Sequence, residues 1–221
     1  MRGRFITFEG GEGTGKSTQA RLLVERLRAC GIDVTLTREP GGSVGAEAIR
    51  HVLLSGAAKP LGQDAETILF AAARSDHVLC VIEPALRAGK WVLCDRFADS
   101  TRIYQGVLGN VDQRLIRALE RMAVGGTKPD LTVVLDLPPS VGLARAERRR
   151  GSAMSDRFES EAAAFHERLQ AAFRKLAQQE PERCSLVDAS GEVREVADAV
   201  WRIVAARFDL AHDGAAAQAL S

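Results

Sequence analysis

The sequence has 221 residues, of which 46% are hydrophobic, and this size and composition predict one compact domain with a substantial core. Its 30 basic and 29 acidic residues nearly cancel, so the overall charge favours neither a nucleic acid nor a membrane surface as a partner. The four cysteines are spaced too widely for a zinc site or a disulfide scaffold. No apolar run approaches the roughly 18 residues of a membrane span, and we expect a cytoplasmic protein without a signal peptide.

Short apolar runs alternate along the chain with longer segments of helical spacing. The runs that predict strands lie at 4–9, 32–37, 91–94, 131–137 and 184–187. The segments that predict helices lie at 17–30, 44–54, 65–88, 113–124, 140–149, 159–179 and 193–208. Strands that alternate with helices are typical of a parallel sheet covered on both faces. We therefore predict a single α/β domain at 1–210 with a central five-stranded parallel sheet, followed by a disordered tail at 211–221.

The segment 10–17 carries a phosphate-binding pattern between a predicted strand and a predicted helix. It reads Gly-Gly-Glu-Gly-Thr-Gly-Lys-Ser, with glycines first and sixth, then a lysine and a hydroxyl residue. The glycines let backbone N–H groups converge on phosphates, Lys16 neutralises the β and γ oxygens, and Ser17 holds Mg²⁺ through its hydroxyl. The predicted residues for ATP are Gly10, Gly11, Glu12, Gly13, Thr14, Gly15, Lys16, Ser17 and Thr18.

Three further features are each open to two interpretations. Asp95 and Arg96 follow the run at 91–94, so we expect them at the carboxyl edge of a central strand. There Asp95 either reaches Mg²⁺ through water or forms an ordinary ion pair with the neighbouring residue. The charged segment 148–157 predicts either a mobile basic lid over a transferring phosphoryl group or a solvated helix end. Phe70 and Arg74 lie one helical turn apart. That spacing alone favours core packing over a ring that stacks a base beside a guanidinium that binds its carbonyls.

Seven segments together resemble the bacterial thymidylate kinases, which are P-loop nucleoside monophosphate kinases. They lie at 8–13, 37–42, 69–74, 95–97, 104–106, 128–131 and 156–159. The most specific of them is Thr-Arg-Glu-Pro-Gly-Gly at 37–42, and the resemblance extends from residue 5 to about 208. It implies a P-loop NTPase fold, ATP-dependent phosphorylation of dTMP to dTDP by in-line transfer with Mg²⁺, and a homodimer.

The resemblance also implies roles for individual residues. Phe70 would stack the thymine, Arg74 and Gln105 would contact its polar edge, and Arg96 would hold the acceptor phosphate. The implied substrate residues are Glu12, Glu39, Pro40, Arg50, Phe70, Arg74, Arg96, Ser100, Thr101, Tyr104 and Gln105. The implied catalytic residues are Lys16, Asp95, Arg96, Arg149 and Arg157. Ser17 and Asp95 would bind Mg²⁺. Arg145 would cover the adenine of ATP, and Ala189 and Ser190 would line the other edge of that base.

One position in the phosphate loop departs from part of this family. Some thymidylate kinases carry an arginine where this chain has Gly13, so the resemblance implies that the arginines at 148–150 supply that positive charge from the lid.

Two alternatives stay open on the sequence. A deoxynucleoside kinase of similar architecture would phosphorylate a sugar hydroxyl, which requires an acidic residue to accept the proton, whereas a phosphate acceptor requires arginines such as Arg50 and Arg96. A P-loop ATP switch would carry a lysine before the paired glycines, where this chain has Glu9. Consumption of ATP with dTMP, with thymidine or with neither distinguishes the three.

Overall fold

A computed structural model describes residues 2–150 and 161–210 and contains the predicted parallel sheet. Its strands are β1 (Phe5–Glu9), β2 (Val34–Arg38), β3 (Trp91–Asp95), β4 (Leu131–Asp136) and β5 (Cys184–Asp188). They lie in the order β2-β3-β1-β4-β5, and every neighbouring pair is parallel. The α/β class and the five parallel strands predicted from the sequence are confirmed.

The helices cover both faces of this sheet and mostly keep the predicted bounds. They are α1 (Lys16–Ala29), α2 (Val44–Leu54), α3 (Gln63–His77), α4 (Glu83–Arg87), α5 (Ala98–Thr101), α6 (Gln113–Val124), α7 (Pro139–Arg150), α8 (Ala163–Gln179) and α9 (Val193–Phe208). The stretch predicted as one helix at 65–88 is divided by a π-helical segment, Val78–Ile82, between α3 and α4. None of the helices described is both long and apolar enough to span a lipid bilayer.

The central strand β1 is buried on both faces because its side chains alternate between two hydrophobic layers. Ile6 and Phe8 pack with apolar residues of α1 and α9 on one side. Phe5 packs on the other side with residues of the π-helical segment, α4 and β3. Such two-sided burial explains why the central strands read as continuous apolar runs in the sequence.

The strand order places the carboxyl end of β1 at the point where the chain changes direction across the sheet. From β1 the chain passes to β2 and β3 on one side, and then crosses to β4 and β5 on the other. Ligands of open parallel sheets bind outside the carboxyl ends of the strands at this point. The loop 10–15, which leads from β1 into α1, therefore occupies the position expected of a nucleotide-binding loop.

The sequence did not predict the short helix α5 or the π-helical segment Arg102–Leu108 that follows it. Part of the reason is that the start of α5 depends on a distant residue. The backbone N–H groups of Phe97 and Ser100 both donate to the Glu9 carboxylate, at 2.8 and 3.2 Å. A helix end that is capped by another strand leaves no local capping signal in its own sequence.

Candidate active site

A cleft of about 460 Å³ opens at the carboxyl ends of β1, β2 and β3. Its wall contains every residue that the resemblance assigns to the acceptor nucleotide, from the phosphate loop, the 37–42 segment, α2, α3 and the 95–105 region. These residues are Glu12, Glu39, Pro40, Arg50, Phe70, Arg74, Arg96, Ser100, Thr101, Tyr104 and Gln105. Arg21, Arg38, Leu54 and Phe97 also line the cleft and were not predicted to do so.

The phosphate loop wraps around the side chain of Lys16. Gly15, in the left-handed region with φ 92°, caps α1, and its carbonyl accepts from the N–H groups of Thr18 and Gln19. The Lys16 ammonium donates to the carbonyls of Gly11 at 2.6 Å and Gly10 at 3.1 Å. Burial and the nearby Arg96 lower the pKa of Lys16 to about 8. The lysine is therefore held inside the loop, beside the place where a phosphate chain would lie.

Ser17 and Asp95 meet at the mouth of the cleft. The Ser17 hydroxyl, in the first turn of α1, donates to the carboxylate of Asp95, the last residue of β3. A hydroxyl and a carboxylate oxygen side by side are the donor types that Mg²⁺ accepts together with phosphate oxygens and water. These two residues fit the magnesium position predicted for them.

Arg96 is fixed by contacts on several sides. Its backbone lies in the left-handed region at φ 70°, and its N–H donates to the carbonyl of Phe8 at 2.9 Å. Its guanidinium donates to Glu12 Oε1 at 2.7 Å and lies 5.2 Å from the centre of the Tyr104 ring. Non-glycine residues with positive φ are concentrated at functional sites, where surrounding contacts hold the strained backbone. Arg96 therefore points into the cleft in a preformed geometry.

The charge of Glu12 is set by its cationic neighbours. Burial acts to raise the pKa of the Glu12 carboxyl, but Arg96, Lys16 and a hydrogen bond from Tyr104 lower it to about 2. The Tyr104 hydroxyl donates to Glu12 Oε1 at 2.8 Å. Glu12 is therefore an anion at neutral pH and balances the two cations around it.

The opposite wall of the cleft carries Phe70 and Arg74 from α3. Arg74 is only 4% exposed, and its Nε donates to Glu39 Oε2 at 2.8 Å. Its Nη2 donates to the carbonyl of Phe97 at 3.2 Å and to the Thr101 hydroxyl at 3.0 Å. The half-buried Phe70 lies in the cleft wall one turn away. The pair is thus at the cavity surface and not in the core that their spacing alone favoured.

Glu9 is a site residue that the sequence reasoning used only to exclude another class. It is fully buried, and its carboxylate accepts from the Phe97 and Ser100 N–H groups and from the Ser100 hydroxyl at 2.7 Å. Burial, with Asp99 nearby, raises its pKa to about 7. Glu9 holds the start of α5 and so positions Ser100 in the cleft. An acid at the end of an apolar strand was the available signal.

Some predicted residues lie elsewhere or are not described. Gly10, Gly11 and Thr14 belong to the loop but do not line the cleft. Arg145 on α7 lies outside it, where its Nη1 donates to the Ala189 carbonyl at 3.0 Å, next to Ser190 as expected. Residues 151–160 and 211–221, together with the side chain of Arg149, fall outside the described part of the chain. Arg157, most of the lid and the tail therefore stay predictions.

Comparisons with known proteins match this chain to thymidylate kinases. A family model described as thymidylate kinase matches residues 8–200. A thymidylate kinase of Nitrobacter winogradskyi is 61% identical over 201 residues, which is 91% of this chain and 87% of the relative. One of Rhodopseudomonas palustris strain TIE-1 is 61% identical over 209 residues, 94% of this chain and 91% of the relative. The crystal structure of thymidylate kinase from Ehrlichia chaffeensis has a TM-score of 0.72 and 32% identity, covering 92% of this chain and 99% of that one.

Proposed function

The chain belongs to the thymidylate kinase family and phosphorylates dTMP with ATP, and we propose that the reaction takes place in the cleft described above. One observation carries this assignment. The acceptor residues implied by the sequence come from five separate parts of the chain, yet all of them line one cavity that also contains the phosphate loop. The deoxynucleoside kinase and the ATP switch find no support in the comparisons.

Arg96 is proposed to hold the acceptor phosphate. Its guanidinium is already oriented by Glu12, Ser100 and the Gly10 carbonyl, at 2.7, 3.3 and 3.2 Å. A donor fixed before the substrate arrives loses little conformational entropy when the phosphate binds. Arg50, whose Nη1 donates to the Pro40 carbonyl, lies in the same wall and adds a second positive charge. The arginines of the lid, including Arg149 and Arg157, are proposed to approach from the other side.

Lys16 is proposed to neutralise the transferring phosphoryl group from the loop side. Charge on the oxygens of that group persists throughout the transfer, so fixed cations around it lower the barrier without proton transfer. Ser17 and Asp95 would hold Mg²⁺, which supplies further neutralisation of the β- and γ-phosphates when bound. Mg²⁺ commonly uses one or two protein oxygens with phosphates and water, so this pair suffices.

Phe70, Arg74 and Gln105 are proposed to recognise the thymine. A half-buried ring in the cleft wall provides a flat apolar surface for a base, and Arg74 provides donors for its carbonyl oxygens. Glu12 and Tyr104 lie at the end of the cleft near the phosphate loop, where the sugar would lie. Arg145, beside Ala189 and Ser190, is proposed to cover the adenine of ATP.

The homodimer and the cytoplasmic location stay predictions. A dimer through α2, α3 and α6 is supported by exposed apolar side chains on these helices, including Val52, Ile68 and Met122, which are 39%, 49% and 80% exposed. Light scattering on Ile68→Glu and on the unaltered chain tests it: a dimer that becomes a monomer supports this face, and an unchanged dimer contradicts it.

A coupled ADP-release assay with Arg96→Met tests the proposed acceptor site. The change removes a preorganised cation proposed to bind the acceptor phosphate, so kcat/KM for dTMP should fall by a factor of about 100 or more. Arg26→Met is the matched control, because it removes an ion pair of the same 2.7 Å length with Asp198 on the surface of α1. Near-native activity in Arg96→Met would place the acceptor phosphate elsewhere.

A further inference from the structure

A completely buried histidine lies directly behind the cleft. His77 is the last residue of α3 and is 0% exposed. Its Nδ1 lies 3.0 Å from Glu39 Oε1, and its Nε2 lies 2.7 Å from the Thr37 hydroxyl. Both ring nitrogens are therefore hydrogen-bonded, and the ring has a fixed orientation. His77 does not line the cleft, and the mechanism above does not use it.

The segment Thr-Arg-Glu-Pro-Gly-Gly at 37–42 is folded around this histidine. Thr37 binds one ring nitrogen and Glu39 binds the other. Gly42 lies so close that a Cβ atom on it would be 2.4 Å from His77 Nε2 and 2.5 Å from the Thr37 hydroxyl oxygen. Three of the six residues in the segment, Thr37, Glu39 and Gly42, thus lie directly against one side chain of α3.

Glu39 continues the chain of contacts from His77 to Arg74. One carboxylate oxygen, Oε1, accepts a hydrogen bond from His77, and the other, Oε2, accepts one from the Nε of Arg74 at 2.8 Å. Nη2 of Arg74 donates to the carbonyl of Phe97 and to the hydroxyl of Thr101. The remaining nitrogen, Nη1, has no hydrogen-bond partner among the described residues. Nη1 is therefore the group of Arg74 available to a ligand in the cleft.

The His77 contact limits how Glu39 can bind Arg74. Carboxylates and guanidinium groups favour two parallel hydrogen bonds. If Oε1 lost its donor, the carboxylate could turn and take a second N–H of the guanidinium, which would draw Nη2 away from Phe97 and Thr101. The hydrogen bond from His77 keeps Oε1 occupied and the Glu39–Arg74 contact single.

We propose that His77 is a positioning residue for base recognition, which aims Arg74 Nη1 at the thymine by holding Glu39. The role rests on the proposed contact of Arg74 with the base. It predicts that a change at His77 alters dTMP binding more than ATP binding, because the side-chain hydrogen bonds from His77 through Glu39 lead to Arg74 on the acceptor side of the cleft.

Two isosteric variants separate the two ring nitrogens. In His77→Asn the amide nitrogen can take the place of Nδ1 and keep the donor to Glu39. In His77→Gln the amide reaches the place of Nε2 and keeps the contact with Thr37 but leaves Glu39 Oε1 without its donor. Initial rates with dTMP and ATP varied in turn, and thermal unfolding, are measured for both.

The two variants should lose similar thermal stability and differ in kinetics. We expect KM for dTMP to rise about tenfold in His77→Gln and less than about threefold in His77→Asn, with KM for ATP within about twofold in both. Equal KM values for dTMP in the two variants, or an equal rise in both substrates, would overturn the positioning role. If His77→Gln does not fold, Thr37→Val carries the test: KM for dTMP should rise about threefold, and an unchanged value refutes the role.

Arg74→Lys distinguishes a failure of this inference from a failure of the base site itself. A raised KM for dTMP in Arg74→Lys with none in His77→Gln refutes only the positioning role. An unchanged KM in both refutes the contact of Arg74 with the base and the positioning role together. In the double variant His77→Gln/Arg74→Lys the effect of His77 should disappear, because residues that act through one contact are not additive.

Discussion

The phosphate loop is fixed to α7 by the close approach of two glycines, and this contact gives a quantitative prediction. A Cβ atom on Gly13 would lie 1.8 Å from the carbonyl oxygen of Gly142. A Cβ atom on Gly142 would lie 2.4 Å from the carbonyl oxygen of Glu12. Gly13 also has φ +66°, a conformation that favours glycine. The loop and α7, whose end leads to the predicted lid, therefore touch backbone to backbone.

The change Gly13→Ala should disturb ATP more than it disturbs folding. Real Cβ atoms approach no closer than 3.0 Å, so the loop and α7 must separate by about 1.2 Å, the difference from 1.8 Å. A displacement of about 1 Å in a group that positions substrate can cost about 100-fold in rate. The left-handed backbone adds about 1 to 2 kcal/mol of strain. We expect kcat/KM for ATP to fall about 100-fold while most of the protein stays folded at 25 °C.

Two control variants separate the effect of the Cβ overlap between the loop and α7 from the effect of left-handed backbone strain. Gly31→Ala has a similar φ of +76° with no atom within 4 Å of its Cβ, so it should lower the melting temperature and leave the kinetics unchanged. Gly142→Ala creates an overlap within a helix, where no left-handed strain is added, and should raise KM for ATP. Initial rates with ATP varied and thermal unfolding measure both effects. Native ATP kinetics in Gly13→Ala and Gly142→Ala would refute the reasoning.

Further perturbations test other parts of the molecule. Phe70→Ala should raise KM for dTMP about tenfold and KM for ATP less than about twofold, whereas equal rises in initial-rate measurements would indicate a core residue. A pH profile of kcat/KM for ATP should fall above about pH 8, because Lys16, with its pKa lowered to about 8 by burial, attracts phosphate only while protonated. A profile that stays flat to pH 9.5 would contradict this. In a denaturant titration, Arg183→Met should lower the free energy of unfolding by about 3 kcal/mol, because it leaves the buried Asp99 with one partner fewer. The control Arg26→Met, which removes a surface ion pair, should lower it by less than about 1 kcal/mol.

Local pattern was sufficient to predict the sheet and the phosphate loop. The central strands are buried on both faces, so β1 and β4 stand out as apolar runs with sharp ends. The segment 10–17 carries its chemistry in consecutive residues, and a strand before it and a helix after it fix its position. These features depend on neighbours in sequence, which explains why sequence reasoning located them to within a few residues.

The acceptor side of the cleft could not be derived in this way because it is assembled from contacts between distant residues. The spacing of Phe70 and Arg74 is compatible with core packing, and only the approach of β2 and of the 95–105 region turns that face of α3 into a cavity wall. The family resemblance supplied those residues instead. The contacts that give His77 and Glu9 their roles could not be predicted from local sequence, since their partners lie 38 and 88 positions away along the chain.

The surroundings of two carboxyl groups near the cleft, Glu12 and Glu9, agree with a phosphate as the acceptor. A kinase that acts on a sugar hydroxyl uses a carboxylate that touches the substrate and accepts its proton, most effectively when its pKa lies near neutral pH. Glu12 lines the cleft, but its cationic neighbours lower its pKa to about 2, so it acts as a counter-ion for Arg96 and Lys16. Glu9 has a pKa of about 7, yet it is fully buried and its oxygens are occupied by Phe97 and Ser100. A phosphate acceptor needs no base, and fixed cations are what it requires.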